Sequence, residues 1–457
     1  MSHPTTRRFF IGAATAAAAT RVWGANDKAN IGIVGLGGRG TNHLDAYSMH
    51  VPKARVAGLC DVNQAAREMA QTRLQKNGGD KAKEFEDMRQ LFADPGIDAV
   101  SIATPNHWHA LATIWAMKAG KDVYCEKPAC YNIHEGQQML KVSRDTKKLV
   151  QIGSQHRSIP WKIKAIQQLQ QGLVGPIYMS KGLCFKRRPS IGHAENQPTP
   201  PGVNWDLFLG PAPMRPFNPL RFKYNWHWFW DTGNGDIGNQ GVHEIGICRW
   251  ALGDPEWPKA AYAQGGKYVY TDDQETPNTL LASYDYGGRE IIFEVRGLTT
   301  DAEGAAVQSR PRPSAAGAVA PKETTIANAL QYTQPMKVMV GNLFFGSEGW
   351  ACMSDAGFQA FKGESNELIA EVKPQRGSDD STALHMTNFL EACSSRDEKA
   401  LHDPISNAYL SASMCHLANI SYRTGRKLTL EAGPTFKGDA EANKMLTREK
   451  YRAPYIV

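Results

Sequence analysis

The chain has little of what would make it something other than an ordinary globular protein. Cysteine is sparse, 8 in 457 residues (60, 125, 130, 184, 248, 352, 393 and 415), and no two of them form a CxxC pair. That spacing argues against a zinc ribbon, an iron–sulfur site or a disulfide framework, and buried free thiols are expected instead. A strong excess of one charge is also missing. Lys and Arg number 52 against 45 Asp and Glu, a formal net charge of +7 with no run that concentrates it, so the electrostatic footprint of a nucleic-acid binder is absent. No stretch offers the roughly 18 uninterrupted apolar residues of a spanning helix, and there is no internal repeat. At 42% hydrophobic and 21% charged residues the composition is that of a folded chain, and the length suits two or three domains.

What is present begins with an address. Thr6-Arg7-Arg8-Phe9-Phe10-Ile11 leads into a short run of small apolar residues that ends near Ala25. Paired arginines before a weakly hydrophobic, alanine-rich run make the twin-arginine export pattern. Residues 1–25 are therefore expected to be a signal peptide, and the mature protein to be periplasmic, with no membrane segment of its own. Export in the folded state suits a protein that loads a cofactor before it leaves the cytoplasm.

A dinucleotide fold follows at once. The strand Asn30-Ile31-Gly32-Ile33-Val34 runs into Gly35-Leu36-Gly37-Gly38-Arg39-Gly40, a G-x-G-x-x-G with a strand before it and a helix after it. Gly35 permits the tight turn, Gly37 lets the backbone approach a pyrophosphate, and Gly40 lets helix and strand pack closely, while the helix N-terminus offers free N–H groups to the phosphates. Asp61 ends the second strand, 21 positions after Gly40. A carboxylate there takes both ribose hydroxyls and repels a 2′-phosphate, which favours NAD over NADP. Strands and helices then alternate: helices 64–75, 85–92, 109–118 and 134–146, and strands 99–103, 122–125 and 149–153. This is the pattern of a parallel doubly wound sheet, whose ligands bind beyond the strand C-termini. Polar clusters sit there: Thr104-Pro105-Asn106-His107-Trp108-His109, Glu126-Lys127-Pro128 and Ser154-Gln155-His156-Arg157.

These residues, with the segment 233–243 and a helix over 244–252, resemble the glucose–fructose oxidoreductase / inositol dehydrogenase (Gfo/Idh/MocA) family. The likeness extends to the ending, 416–427, and looks most like an exported branch. It implies a Rossmann domain over 29–157 and an α+β domain over 158–400 built on a mainly antiparallel open sheet. A C-terminal helix and tail, 401–457, is expected to pack back on the first domain. It also implies that Lys127 points between nicotinamide and substrate, often with a cis bond to Pro128, and that His243 is the catalytic histidine of an Asp-x-x-x-His pair. Here Asn239 stands where relatives have the Asp. Asn can hydrogen-bond but cannot relay a proton, and Asp236, one turn earlier, is the carboxylate that would supply the loss.

The chemistry agrees with that set. Oxidising a secondary alcohol needs hydride loss from carbon and proton loss from oxygen. A histidine suits the proton step, and a lysine beside cationic nicotinamide can steady the developing alkoxide. The expected cofactor contacts are Gly35, Gly37, Gly38, Arg39, Gly40, Asp61, Thr104, Pro105, Asn106, His109, Glu126 and Lys127. His107 and His109 are read as flanking the cofactor, and no metal is expected. For substrate, Gln155 and Arg157 stand beside an aromatic stretch over 221–231 in which Trp226, His227 and Trp228 either stack on a sugar or form core. Lys186-Arg187-Arg188 either meets an acidic sugar or is a solvated loop. Strands near 178–185, 260–269, 279–284, 290–295, 338–341 and 351–353 make the second sheet, whose open face predicts a homodimer or homotetramer. Residues 299–336, rich in Ala, Pro, Ser and Thr, read as a long loop. Three functions remain open: a sugar or cyclitol oxidoreductase using NAD, a glycosidase that recycles bound NAD, and a non-catalytic sugar binder.

Overall fold

The computed structural model describes residues 28–298, 340–374, 380–431 and 433–457. The expected signal peptide and the expected loop over 299–336 lie outside them. The first sheet has six strands: β1 (Ala29–Val34), β2 (Ala54–Cys60), β3 (Lys83–Phe85), β4 (Ala99–Ile102), β5 (Asp122–Cys125) and β6 (Val150–Ile152). Every pairing is parallel, in the order β3-β2-β1-β4-β5-β6. β4 and β5 are buried at every position, as expected of strands covered on both faces by helices. The covering helices are α1 (Gly38–Asp45), α2 (Gln64–Lys76), α3 (Met88–Ala93), α4 (Asn106–Lys118) and α5 (Ile133–Thr146). Side-chain oxygens of Asn63, Asp87 and Asn132 accept first-turn N–H groups of α2, α3 and α5, so these starts are fixed by sequence. One expectation is corrected: 85–92 is not one helix. Lys83–Phe85 pairs as an edge strand, and the helix starts only after its Asp87 cap.

After α6 (Pro160–Gln170) the period changes. The second sheet has nine strands: β7 (Ile177–Cys184), β8 (Ala260–Gly266), β9 (Thr279–Asp285), β10 (Glu290–Arg296), β11 (Val340–Gly346), β12 (Gly349–Ser354), β13 (Gly357–Lys362), β14 (Glu367–Val372) and β15 (Leu428–Thr429). Its order is β14-β13-β12-β11-β7-β10-β9-β8-β15, antiparallel throughout except for β7 with β10. β13, β14 and β15 were not anticipated. One face is apolar, with Leu280, Ala282 and Tyr284 on β9 and Ile291, Phe293 and Val295 on β10 all buried. The short α7 (Trp205–Leu209) lies in the long crossover after β7 and packs Trp205 on Phe217, and α8 (Val242–Ala251) covers β7 and β11 on that apolar face.

The last helices tie the halves together. α9 (Ser381–Ser395) buries Met386, Phe389 and Leu390 in the Rossmann core beside Ile31, Ile33 and Tyr124. Truncating a ring buried like Phe389 costs roughly 3–5 kcal/mol. α10 (Ile405–Thr424) turns Ile405, Ala408 and Ala412 to the first core and Met414, Leu417 and Ala418 to the second. Beyond α11 (Ala440–Lys444), the tail returns to the first domain, where the Tyr455 ring meets Trp108 edge-on at 5.4 Å. All eight cysteines are buried. Among the described residues no helix is long and apolar enough to cross a membrane.

Candidate active site

The strand order reverses between β1 and β4, and a cavity of about 660 Å³ opens at their C-terminal ends. The glycine loop forms its floor. Gly35 has φ +85°, and a Cβ there would lie 2.7 Å from the Ala103 carbonyl oxygen, so only glycine makes the turn. A Cβ on Gly40 would lie 1.8 Å from the Gly35 oxygen, whereas one on Gly37 or Gly38 would meet nothing within 4 Å. Gly40 does not line the cavity; it lets α1 pack, while Gly37 and Gly38 leave room for a ligand. At the far wall Asp61 accepts the N–H of Leu36 at 2.7 Å and that of Asn63 at 2.8 Å. These bonds fix the carboxylate and leave lone pairs for two hydroxyls. Thr104, Pro105, Asn106 and His109 line the same cavity, and the buried Thr104 hydroxyl has no protein partner. Glycine cradle, helix N-terminus and fixed carboxylate fit a pyrophosphate-linked dinucleotide.

Glu126 organises the inner end. Its Oε1 receives Arg39 Nε at 2.8 Å, Gln155 Nε2 at 2.8 Å and faces His43 Nε2 at 3.0 Å, and its Oε2 receives the Lys127 N–H at 3.2 Å. Burial alone would push this carboxyl up, but Arg39 and His43 hold it well below the usual range. Glu126 thereby fixes the backbone of Lys127, whose bond to Pro128 is cis. The Lys127 ammonium donates to the Asn239 carbonyl at 2.7 Å and to Asn239 Oδ1 at 3.4 Å. Burial lowers its pKa, with Glu126 opposing and Arg39 assisting.

Beside this end lies a second, polar cavity of about 270 Å³, lined by Arg39, Gln155, His156, His243, Glu244 and Asn342 among others. Arg39 borders both cavities. His243 meets the His156 ring at 5.1 Å, and burial, then Lys127, depress its pKa well below the usual value. Glu244 Oε2 and Asn342 Oδ1 are buried without a protein partner, which is how a site waiting for a ligand's hydroxyls looks. Burial pushes Glu244 up to about 8, so it stays protonated and can donate.

Several sequence expectations need correction. Asp236 does not stand in for the missing carboxylate at the reacting end: it lines neither cavity and is gripped by Arg188 at 2.7 and 2.9 Å. Arg188 is accordingly not a solvated loop residue. Arg157 faces no ligand space either; its guanidinium is committed to Asp254 at 2.6 and 2.9 Å and joins the segments before α10 and after α8. Trp228 is buried beneath Arg188, whereas Trp226 and His227 line the larger cavity. His109, pinned between the carbonyls of Thr104 and Pro128, lines the larger cavity, but His107, read as flanking the cofactor, does not, and its ring faces the carbonyl of Phe208. No group of three or more potential metal ligands occurs among the described residues. Sequence reasoning gave no role to Tyr224, Glu244 or Asn342. Tyr224 stood inside the aromatic stretch over 221–231 and Glu244 opened the helix over 244–252, whereas Asn342 carries no local signal because distant chain segments assemble its surroundings.

Comparison with known proteins gives the class. Residues 29–154 match the NAD-binding Rossmann fold of the Gfo/Idh/MocA oxidoreductase family, and residues 170–305 match its C-terminal alpha/beta domain. Together the two matches cover more than half of the chain, which belongs to this family. Among curated relatives, levoglucosan dehydrogenase of Pseudarthrobacter phenanthrenivorans is 25% identical over 229 residues, 49% of this chain and 51% of the relative. Inositol 2-dehydrogenase of Paracoccus denitrificans is 27% identical over 225 residues, 49% of this chain and 54% of the relative. The chain thus spans about half the length of the curated relatives it matches. A solved levoglucosan dehydrogenase in complex with NADH and levoglucosan superposes with a TM-score of 0.63 over 88% of this chain and 99% of that one, at 17% identity; at that identity it speaks for the fold.

Proposed function

We propose that the protein is an NAD-dependent oxidoreductase acting on a secondary alcohol of a sugar, cyclitol or glycoside. The observation that carries this reading is the placement of Lys127: it closes the dinucleotide cavity and stands next to the polar cavity that holds His243. Bound NAD supplies the two-electron acceptor for the carbinol hydrogen. Lys127 donates to the carbinol oxygen and steadies its negative charge. His243, kept neutral by burial and by Lys127, takes the oxygen's proton. Glu244 and Asn342 offer a donor and an acceptor to the remaining hydroxyls. Asp61 favours NAD over NADP. The relatives named for levoglucosan and inositol dehydrogenation support a neutral polyol as the substrate class.

Residues 1–25 then direct export to the periplasm with cofactor already loaded, and the half-buried outer face of the second sheet, with Leu183, Phe185 and Leu343 clustered on it, pairs subunits. The test starts with protein purified without added cofactor. Any released dinucleotide is identified by mass, and fresh enzyme is then mixed with polyols and aryl glycosides while NADH absorbance is followed. Absorbance rising on one polyol supports the dehydrogenase. Sugar release without net NADH would replace it with the cofactor-recycling glycosidase, and neither signal would leave a sugar binder.

A further inference from the structure

We propose that Tyr224 is a substrate-facing donor of the Lys127 cavity, its phenolic proton aimed outward by Arg188 and Asn239 so that it hydrogen-bonds the oxygen of the carbinol being oxidised. The inference rests on the dehydrogenase reading above and assigns a role that the motif residues do not.

The direction of that proton follows from which groups can only give and which can only take. Lysine has no acceptor and an ionised carboxylate no donor. Lys127 Nζ lies 3.4 Å from one end of the Asn239 amide and Asp236 Oδ1 lies 3.2 Å from the other. The first end is therefore the carbonyl and the second the NH₂, so the amide cannot be turned round. The same NH₂ donates to the Tyr224 oxygen at 3.1 Å. Arg188, which also can only donate, reaches that oxygen at 3.3 Å while its other nitrogens hold Asp236. The phenolic oxygen thus accepts two hydrogen bonds and keeps one proton to give. Among the described residues no side chain or carbonyl takes it. Tyr224 is 50% exposed and lines the larger cavity with Lys127 and Asn239, and the proton points there.

This gives the departure at position 239 a consequence. A carboxylate at 239 would present two acceptors, and the Tyr224 proton would turn inward to meet it. Asparagine reverses the polarity and frees the hydroxyl for a ligand. In the reaction the carbinol carbon gives its hydrogen with two electrons to the cofactor and the carbinol oxygen gives its proton to His243. Tyr224 keeps its own proton throughout and, with Lys127, donates to the oxygen as charge builds.

The test is a double-mutant cycle of Tyr224→Phe and Asn239→Asp on the full enzyme, with the polyol that wild type oxidises fastest. Tyr224→Phe alone is expected to lower kcat by roughly a hundredfold, as for loss of one donor to a developing oxyanion, with NADH affinity by fluorescence unchanged. In the Asn239→Asp background the same change is expected to cost less than about threefold, because the hydroxyl is already turned away. The Tyr224 Cζ resonance, assigned with Tyr224→Phe, is expected to move on polyol binding in wild type and to stay in Asn239→Asp. A wild type that oxidises a polyol while Tyr224→Phe is silent, or costs the same factor in both backgrounds, overturns the inference and leaves the dehydrogenase reading standing. A wild type that oxidises no polyol overturns that reading and this inference with it.

Discussion

The Lys127 ammonium donates to the main-chain carbonyl of Asn239 at 2.7 Å, and this one bond crosses from the first domain to the second. Lys127 leaves the C-terminal end of β5, and Asn239 lies in the turn that opens α8. The contact therefore sets where a group from the cofactor side meets the helix that carries His243. Glu126 holds the lysine backbone from behind, so both ends of the bond are fixed before any ligand arrives.

Lys127→Met keeps the apolar stem and removes the charge. Turnover is expected to fall by roughly 10²–10³-fold, the scale for loss of one preorganised donor at a developing oxyanion. NADH affinity by fluorescence is expected to stay close to wild type, because Lys127 lies at the end of the cavity away from Asp61. Lys127→Arg should not restore the rate, since a planar fork cannot replace a point donor aimed at one carbonyl. Wild-type turnover in Lys127→Met would remove the residue from the chemistry.

The two glycines at the loop separate ligand space from folding space. Gly37→Ala adds a methyl that meets no protein atom, whereas Gly40→Ala places one 1.8 Å from the Gly35 oxygen. The first variant is expected to melt like wild type without ligand but to bind NADH at least about tenfold more weakly, since its methyl occupies the pyrophosphate's approach. The second is expected to melt lower even without ligand, by roughly 1–3 kcal/mol of overpacking. Equal NADH affinity in Gly37→Ala would show that no phosphate passes over that residue.

Asp61→Ala removes the carboxylate held by the Leu36 and Asn63 N–H groups. With the hydroxyl acceptor gone and nothing left to repel a 2′-phosphate, the ratio of kcat/KM with NAD to that with NADP is expected to fall towards one. An unchanged ratio in paired assays would show that the preference lies elsewhere in the cavity.

The first domain was legible because its signals are local. The Gly35–Gly40 loop, the Asp61 strand end and the Glu126-Lys127-Pro128 turn each follow a short apolar strand, and the structure sets them at one cavity. The edge strand Lys83–Phe85 was misread because its charged residues carry no apolar alternation. In the second domain β14 has every residue partly or wholly exposed, which leaves no buried face to mark it. Asp236 and Arg157 looked like site residues because charged groups near a motif invite that reading. Their partners, Arg188 and Asp254, lie 48 and 97 positions away, and no pattern in the chain announces such pairings.

Buried histidines, His43, His109 and His243 among them, resist charging. Burial is the largest cause in each, and it brings His107, His156, His227 and His385 down to about 3 and His416 to about 4, against an ordinary 6.5. The unfolded chain binds protons at these sites from about pH 6.5 downward, whereas the folded chain does not until about pH 3–4. Between those limits the unfolded state holds more protons, so stability present above pH 6.5 is lost as pH falls. One unit below 6.5, each such site forfeits up to about 1.4 kcal/mol. Glu244 works in the opposite sense: its folded value of about 8 against an ordinary 4.5 costs stability as pH rises between the two, and burial raises Asp61, Glu135 and Asp403 in the same direction, but the buried imidazoles outnumber these carboxyls. The melting temperature of the ligand-free protein is therefore expected to drop between pH 7 and pH 5, well before the ordinary carboxylates titrate. A melting temperature that stays level or rises over that interval would mean that the buried imidazoles take up protons without unfolding, and that the cavity beside His243 admits charge that its surroundings in the structure oppose.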